Sequence, residues 1–265
     1  MATSAATKLI VGAHTDVGSV RTRNEDSILT EPTDSTDAKT RGWLGIVADG
    51  LGGHRSGDVA SQLTIKTTRD NFYNRARGGS TIGERLRAAI EKSNEVIVVA
   101  GGGAEEQAQM ASTITAAVIE GTKLVLGQVG DSRGYLIRNS RVRQVTRDHS
   151  LVDELIRSGS ITPEEALRHP NRNVITRALG TRATVEVDVF EEDLHDADVV
   201  LLCSDGLYRV VGDAEIARAL IAEPQAAAES LVALANQRGG PDNISVIVVR
   251  VLISEDADVT LLGRS

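Results

Sequence analysis

The sequence predicts an α+β architecture, a β-sandwich flanked by pairs of helices, and two observations point to it. Short β-branched apolar runs recur along the chain, several of them nearly continuous in hydrophobicity, as strands covered on both faces are. Helical signals come in consecutive pairs framed by these runs, unlike the strict strand-helix alternation of a doubly wound parallel sheet.

The strand candidates are residues 8–13, 43–48, 113–119, 124–129, 135–138, 199–203 and 244–252. The first helical block begins at residues 57–73, where Val59 and Leu63 share a face. It continues where Ile82, Leu86 and Ile90 repeat every fourth position behind a Thr81–Glu84 capping box. A second capping box, Thr162 with Glu165 after Pro163, opens a short helix. In the second block Asp213 can cap a helix over 214–222, and Pro224 suits the first turn of another reaching Gln237. Residues 34–41 and the glycine-rich 100–109 read as loops.

A chain of 265 residues is long enough to bury a large core without staples, and it shows no internal repeat or interdomain linker. One domain over residues 1–265 is the expectation. Aromatic residues are only 2% of the chain, so the core is aliphatic. With 37 acidic against 29 basic residues, the formal net charge of −8 supplies no positive field for nucleic acid or an anionic membrane. The single cysteine, Cys203, excludes an internal disulfide and a multi-cysteine zinc site, which fits a cytoplasmic location. No apolar run approaches the roughly 20 residues of a membrane span, and the N-terminal stretch meets Asp16 before it builds a secretory signal.

One pattern repeats at strand ends. An apolar run stops at an aspartate beside glycine or serine in WLGIVADG (Asp49), LVLGQVGDS (Asp131) and VVLLCSDG (Asp205). Asp242, in GGPDNISVIVV, instead precedes its strand, which is the same end of the sheet if that strand runs antiparallel to the others. Carboxylates gathered at the rim of a core must take up protons, pair with cations or bind metal. Oxygen donors with few histidines and no thiol set favour magnesium or manganese over zinc or copper. Glycine after Asp49 and Asp205 permits close backbone approach to an ion and can offer a carbonyl. Taken singly, each aspartate is also an ordinary turn residue.

The ordered strings TDVGSVRTRNEDS (15–27), ADGLGGHRSGDVAS (48–61), STITAAVI (112–119), VGDSRGYLIR (129–138), LLCSDGL (201–207) and GPDNISVIVV (240–249) span nearly the whole chain. In these the chain resembles the PPM (PP2C-like) metal-dependent serine/threonine protein phosphatases of compact bacterial type. The resemblance implies a central antiparallel β-sandwich flanked by helices, with two Mn2+ or Mg2+ ions at one end bridged by water or hydroxide. It implies direct hydrolysis of phosphoserine and phosphothreonine, with no phosphoenzyme. Asp49 would bridge both metals, Gly50 would give a carbonyl to one, and Asp205 and Asp242 would ligate the other. Arg21 stands in the phosphate-binding position, where a guanidinium fork can hold two phosphate oxygens. Glu25 and Asp26 would orient metal-bound water, and Asn243 would support Asp242 in the same way.

By the same resemblance Asp131 helps Asp205 hold a weaker third metal; alternatively it fixes the turn between Gly130 and Gly134. His54 is the candidate proton donor to the leaving serine oxygen. Leu51, Gly52 and Gly53 separate it from the Asp-Gly pair, and a structural or substrate-contacting histidine is the alternative. Leu51 replaces the methionine usual in bacterial members, a mild apolar exchange. Residues 148–180 resemble the flap beside the active site of those members, and are longer than an ordinary connector. The implied partners are phosphorylated proteins, among them a Ser/Thr kinase and its substrates, for a monomeric enzyme.

Three rivals are weaker. Cys203 and Arg209 satisfy C-x5-R, the spacing of cysteine-dependent tyrosine phosphatases, but Asp205 would put negative charge inside that phosphate cradle. The glycines of 50–57 lack the Gly-Lys-Ser/Thr ending of a nucleotide-binding loop. A non-catalytic member that only binds phosphoproteins is disfavoured by intact Asp49, Asp205, Asp242 and Arg21.

Overall fold

The computed structural model describes residues 6–51, 56–74, 80–102 and 110–254. In chain order the elements begin β1 (Ala6–Asp16), β2 (Asp26–Thr30), α1 (Thr36–Arg41), β3 (Trp43–Leu51), α2 (Gly57–Asn74) and α3 (Ile82–Ala100). There follow β4 (Ala111–Ser112), β5 (Ile114–Glu120), β6 (Lys123–Val129), β7 (Arg133–Arg138) and β8 (Arg141–Gln144). After the short helices α4 (Leu151–Arg157) and α5 (Pro163–Ala166) come β9 (Asp188–Asp193) and β10 (Val199–Cys203). The last are α6 (Asp205–Tyr208), α7 (Asp213–Ala219), α8 (Pro224–Gln237) and β11 (Ile244–Ser254).

The strands form two antiparallel sheets, one ordered β1-β11-β10-β7-β8 and the other β2-β3-β5-β6-β9, with β4 appended to β3. Alternation along each strand explains the unbroken apolar runs, because successive side chains enter different layers. In β10, Val200 and Leu202 meet Leu126, Leu136 and Ile247 between the sheets. Val199, Leu201 and Cys203 point the other way, into the layer formed with α7 and α8 through Ile216, Ala228 and Leu231. On the outer face of the second sheet Ile46, Ala116 and Val118 pack against Phe72 of α2 and Leu86 and Ile90 of α3. The expected sandwich flanked by helix pairs is therefore the observed one.

Each predicted strand is present; besides the two-residue β4, three more add to them, β2, β8 and β9. These three are the outermost strands of their sheets or of one edge, and their sequences, DSILT, RVRQ and DVFEED, are polar because edge strands stay half exposed. The opposite edge, β1, is blunted at Ala13, whose N–H donates to Gln225 Oε1 at 3.1 Å and whose carbonyl accepts from Gln225 Nε2 at 3.3 Å.

Both predicted capping boxes form, Thr81 with Glu84 and Thr162 with Glu165, and Pro224 opens α8. Residues 34–41 are not all loop. Ser35 Oγ accepts from the Ala38 N–H at 3.0 Å and so caps α1. Asp213 is the first helical residue of α7 and not its cap; Gly212 holds that place and the helix ends at Ala219. The inward face of α2 carries Ala60, Thr64, Thr68 and Phe72, while Val59 is 43% exposed. Hydroxyls hide this face from a hydrophobicity pattern: Thr68 Oγ1 lies 2.7 Å from Ser93 Oγ of α3, both buried. Ala100 closes α3, and the rest of the glycine-rich loop, 103–109, lies outside the described residues.

The segment expected to form the flap, 148–180, holds α4 and α5 and is tied back by isolated bridges Ser150↔Ile175 and Ser112↔Leu179. His149 anchors its start. The Gly130 N–H donates to His149 Nδ1 at 3.0 Å, which leaves the ring proton on Nε2, 3.2 Å from Asp188 Oδ2. No helix among the described residues is long and apolar enough to cross a membrane.

Burial lowers the His149 pKa below its ordinary 6.5, against the pull of Asp188 and with Arg177 and Asp148 also facing the ring. Protonation at Nδ1 would break the bond from Gly130. The stability conferred by neutral His149 is thus complete above about pH 6.5 and declines as pH falls towards the lowered folded value, because the unfolded chain then binds more protons. His149→Gln is expected to flatten the pH dependence of the unfolding free energy below about pH 6.5. Urea denaturation at a series of pH values measures it; an unchanged slope contradicts the assignment.

Candidate metal and phosphate site

Antiparallel pairing gathers the aspartates at one end of the sandwich. Cys203 is opposite Val246 in the β10–β11 register, so the end of β10 and the start of β11 adjoin, which brings Asp205 beside Asp242. In the other sheet Asp26 stands directly across from Asp49. The condition set by the sequence for Asp242 is therefore met.

Asp49 is the focus. Burial raises its pKa well above the usual carboxylate range, and Asp26, Asp205, Asp131 and Asp242 each raise it further. Its backbone is pinned by Thr113, whose Oγ1 accepts from the Asp49 N–H at 3.0 Å and whose N–H donates to the Asp49 carbonyl at 2.8 Å. Gly50 then passes close to the start of α2: a Cβ there would lie 2.0 Å from the Gly57 carbonyl oxygen. Asp26, 8% exposed, accepts from Ser204 Oγ at 2.7 Å, while its other oxygen, Oδ1, is buried without a partner. Burial pushes it up to about 6.

Asp205 opens α6 and is pushed up to about 7, mainly by burial, with Arg209 acting against the shift. Asp131 is equally buried, its pKa raised by desolvation, and its Oδ1 also lacks a partner. Arg209 Nη2 reaches both, at 2.9 Å from Asp205 Oδ2 and 3.2 Å from Asp131 Oδ2. Asp242 is more open and receives Arg21 Nη2 at 2.9 Å.

The loop between β1 and β2 brings Arg21 and Glu25 to this end. Asn243 clamps it: Nδ2 donates to the carbonyls of Val17 at 2.8 Å and Arg23 at 2.9 Å, and Oδ1 accepts from the Glu25 N–H at 2.8 Å. The side-chain amide is thus spent on the loop, while the Asn243 backbone N–H donates to Asp242 Oδ1 at 2.9 Å. Gly18, at φ +79°, lets this loop pass the Asp242 carbonyl, which a Cβ would approach to 2.2 Å. Burial raises the pKa of Glu25 as well. His54 lies outside the described residues.

These residues fit divalent ions. Buried oxygens of Asp26 and Asp131 have no protein partner, Asp49 sits among like charges, and the donors are all oxygen. Among the described residues no three acidic or histidine side chains already surround one point; Arg21 and Arg209 balance Asp242, Asp131 and Asp205 instead. Sequence reasoning missed Thr113, Ser204 and Arg209 as parts of the site. The C-x5-R spacing drew notice to Arg209 for another chemistry, which the structure rejects: Cys203 is fully buried and its thiol pKa is raised by that burial.

A groove of about 680 Å³ opens beside the aspartates, lined by Arg21, Asp242, Tyr208 and Arg209 and, from residues 148–180, by Ile156 and Leu167. A two-sheet sandwich carrying oxygen donors for divalent ions, an arginine and a groove at one end defines the class of metal-dependent phosphatases. The sequence pattern of the family described as Protein phosphatase 2C matches residues 19–238, and the chain belongs to that family. It is 38% identical to the serine/threonine phosphatase stp of Listeria monocytogenes over 254 residues, 94% of this chain and 96% of that one. The crystal structure of the Mycobacterium tuberculosis serine/threonine phosphatase PstP/Ppp superposes with a TM-score of 0.80 at 38% identity, covering 91% of this chain and 98% of that one. A PstP catalytic domain in complex with two manganese ions gives a TM-score of 0.79 at 36% identity, covering 93% and 100%.

Because its Cβ would meet the Gly57 carbonyl, Gly50→Ala is expected to lower the unfolding free energy by about 1–3 kcal/mol, the usual penalty of overpacking. Chemical denaturation checks this; a cost below about 0.5 kcal/mol would show that the β3–α2 approach is not tight.

Proposed function

We propose that this chain hydrolyses phosphoserine and phosphothreonine in proteins, using two Mn2+ or Mg2+ ions held by Asp49, the Gly50 carbonyl, Asp205 and Asp242. The observation that carries it is the group of aspartates around Asp49, whose mutual repulsion in a desolvated site calls for cations. Bound there, divalent ions supply Lewis acidity and an activated water for in-line displacement at phosphorus.

The chain's own residues supply the rest. Arg21, half exposed and hydrogen-bonded to Asp242, presents its remaining donors at the mouth of the groove, where they can hold two phosphate oxygens. Asp26 and Glu25, close to Asp49 and raised in pKa by burial, are placed to accept hydrogen bonds from water in the site. The flap over 148–180 covers the groove from one side with Ile156 and Leu167, surfaces suited to the protein chain around a phosphorylated residue. Residues 1–265 act in this proposal as one catalytic domain working as a monomer in the cytoplasm. A Ser/Thr kinase and its targets are the substrates that phosphatase chemistry would oppose.

The decisive assay is phosphate release from a phosphothreonine peptide with Mn2+, with and without chelator. Asp49→Asn is expected to lower kcat at least about a hundredfold, the scale of losing one preorganised transition-state contact. Near-normal turnover would sink the metal assignment, and an inactive wild-type protein loaded with metal would favour a phosphoprotein-binding role.

Arg21→Ala is expected chiefly to raise KM, since the lost contact binds ground state and transition state alike. Steady-state kinetics on the same peptide separate this from a fall in kcat alone, which would remove Arg21 from substrate binding.

A further inference from the structure

The pair Asp131–Asp205 already holds a cation of its own. Arg209 follows α6, and its N–H closes one helical turn on the Asp205 carbonyl at 3.1 Å. That turn carries its guanidinium back over Asp205, where a single nitrogen, Nη2, lies 2.9 Å from Asp205 Oδ2 and 3.2 Å from Asp131 Oδ2. Nη1 turns outward and donates to Asn173 Oδ1 of the flap at 3.0 Å. Tyr208 braces the arrangement beneath Arg133, whose guanidinium lies 3.6 Å from the Tyr208 ring centroid and grips Asp148 at the start of the flap.

We propose that Arg209 is the resident counter-ion of Asp131 and Asp205, that it antagonises entry of a further divalent ion between them, and that it tethers the flap through Asn173 while it stays. A divalent ion bound to the same two Oδ2 atoms would need them at about 2.0–2.6 Å, the volume that Nη2 occupies, and the two cations repel. Entry of the ion must therefore swing Arg209 away, which breaks the bond to Asn173. Linkage makes the effect reciprocal: holding the flap against Arg209 weakens the ion, and the ion loosens the flap. The inference rests on the proposed metal site, because it takes Asp205 to be a ligand of the ions that bind first.

Mn2+ titration of the full chain, with bound ion counted by electron paramagnetic resonance, tests it alongside hydrogen exchange of the flap. Wild type is expected to take two equivalents first and a third much more weakly. Arg209→Gln should tighten the third equivalent at least about fivefold, the lower end of ordinary coupling between sites, and should raise flap exchange around Asn173 before any third ion is added. Arg209→Lys, with charge but no fork, should fall between the two. Asn173→Ala removes only the tether, at an exposed position that leaves the acid pair intact; it should raise flap exchange and tighten the third ion by a smaller factor. An unchanged third affinity in both Arg209→Gln and Asn173→Ala overturns the inference while the first two equivalents remain. Absence of those two in wild type overturns the metal site and this inference together.

Discussion

Repulsion between carboxylates held where water cannot screen them is the constraint on which the rest of the structure turns. Asp49 feels Asp26, Asp205, Asp131 and Asp242 at once, and burial is the largest single influence on each of the first three and on Asp131. Such a cluster persists only if every backbone segment that carries it is pinned independently. Thr113 fixes Asp49 from the next strand, Ser204 donates to Asp26 from the other sheet, and Asn243 ties down the loop before β2. None of these contacts neutralises charge. They set position, and leave charge balance to Arg21, Arg209 and the ions for which the oxygens are suited.

The sandwich supplies the place for this. With helices covering both outer faces, the strand ends remain open, and strands of opposite direction can bring carboxylates from widely separated parts of the chain to one of those ends. Residues 148–180 connect to the same end through His149 under Gly130 and Arg133 on Asp148. The groove and the acid cluster thus share their supports, so a change in one is felt by the other.

The sandwich, its helix pairs and the aspartates at its strand ends were legible because each leaves a local trace. Continuous apolar runs marked β10 and β11, which are covered on both faces, and an aspartate after such a run is conspicuous. Strands β2, β8 and β9 left no such trace, since edge positions tolerate DSILT, RVRQ and DVFEED. The inward face of α2 was only partly legible: Leu63 packs on the core, but Thr64 and Thr68 are buried with their hydroxyls satisfied, so hydrophobicity understates them. In the site, the ligand types were readable but their supports were not. Thr113, Ser204 and Arg209 act on residues distant in sequence, or by folding back over a helical turn, and only the register of the sheets reveals them.

The Asn243 clamp joins residues 218 to 226 positions apart in the chain, and β1 pairs along its length with β11. During synthesis the loop bearing Arg21 therefore waits, unsupported, until Asn243 and β11 have been made. A nascent chain can assemble the β3–β5–β6 sheet and its helices early, yet the end that carries the aspartates closes only after β11 has been made. Translation products that stop before β11 would then be folded in part but lack the closed acid cluster.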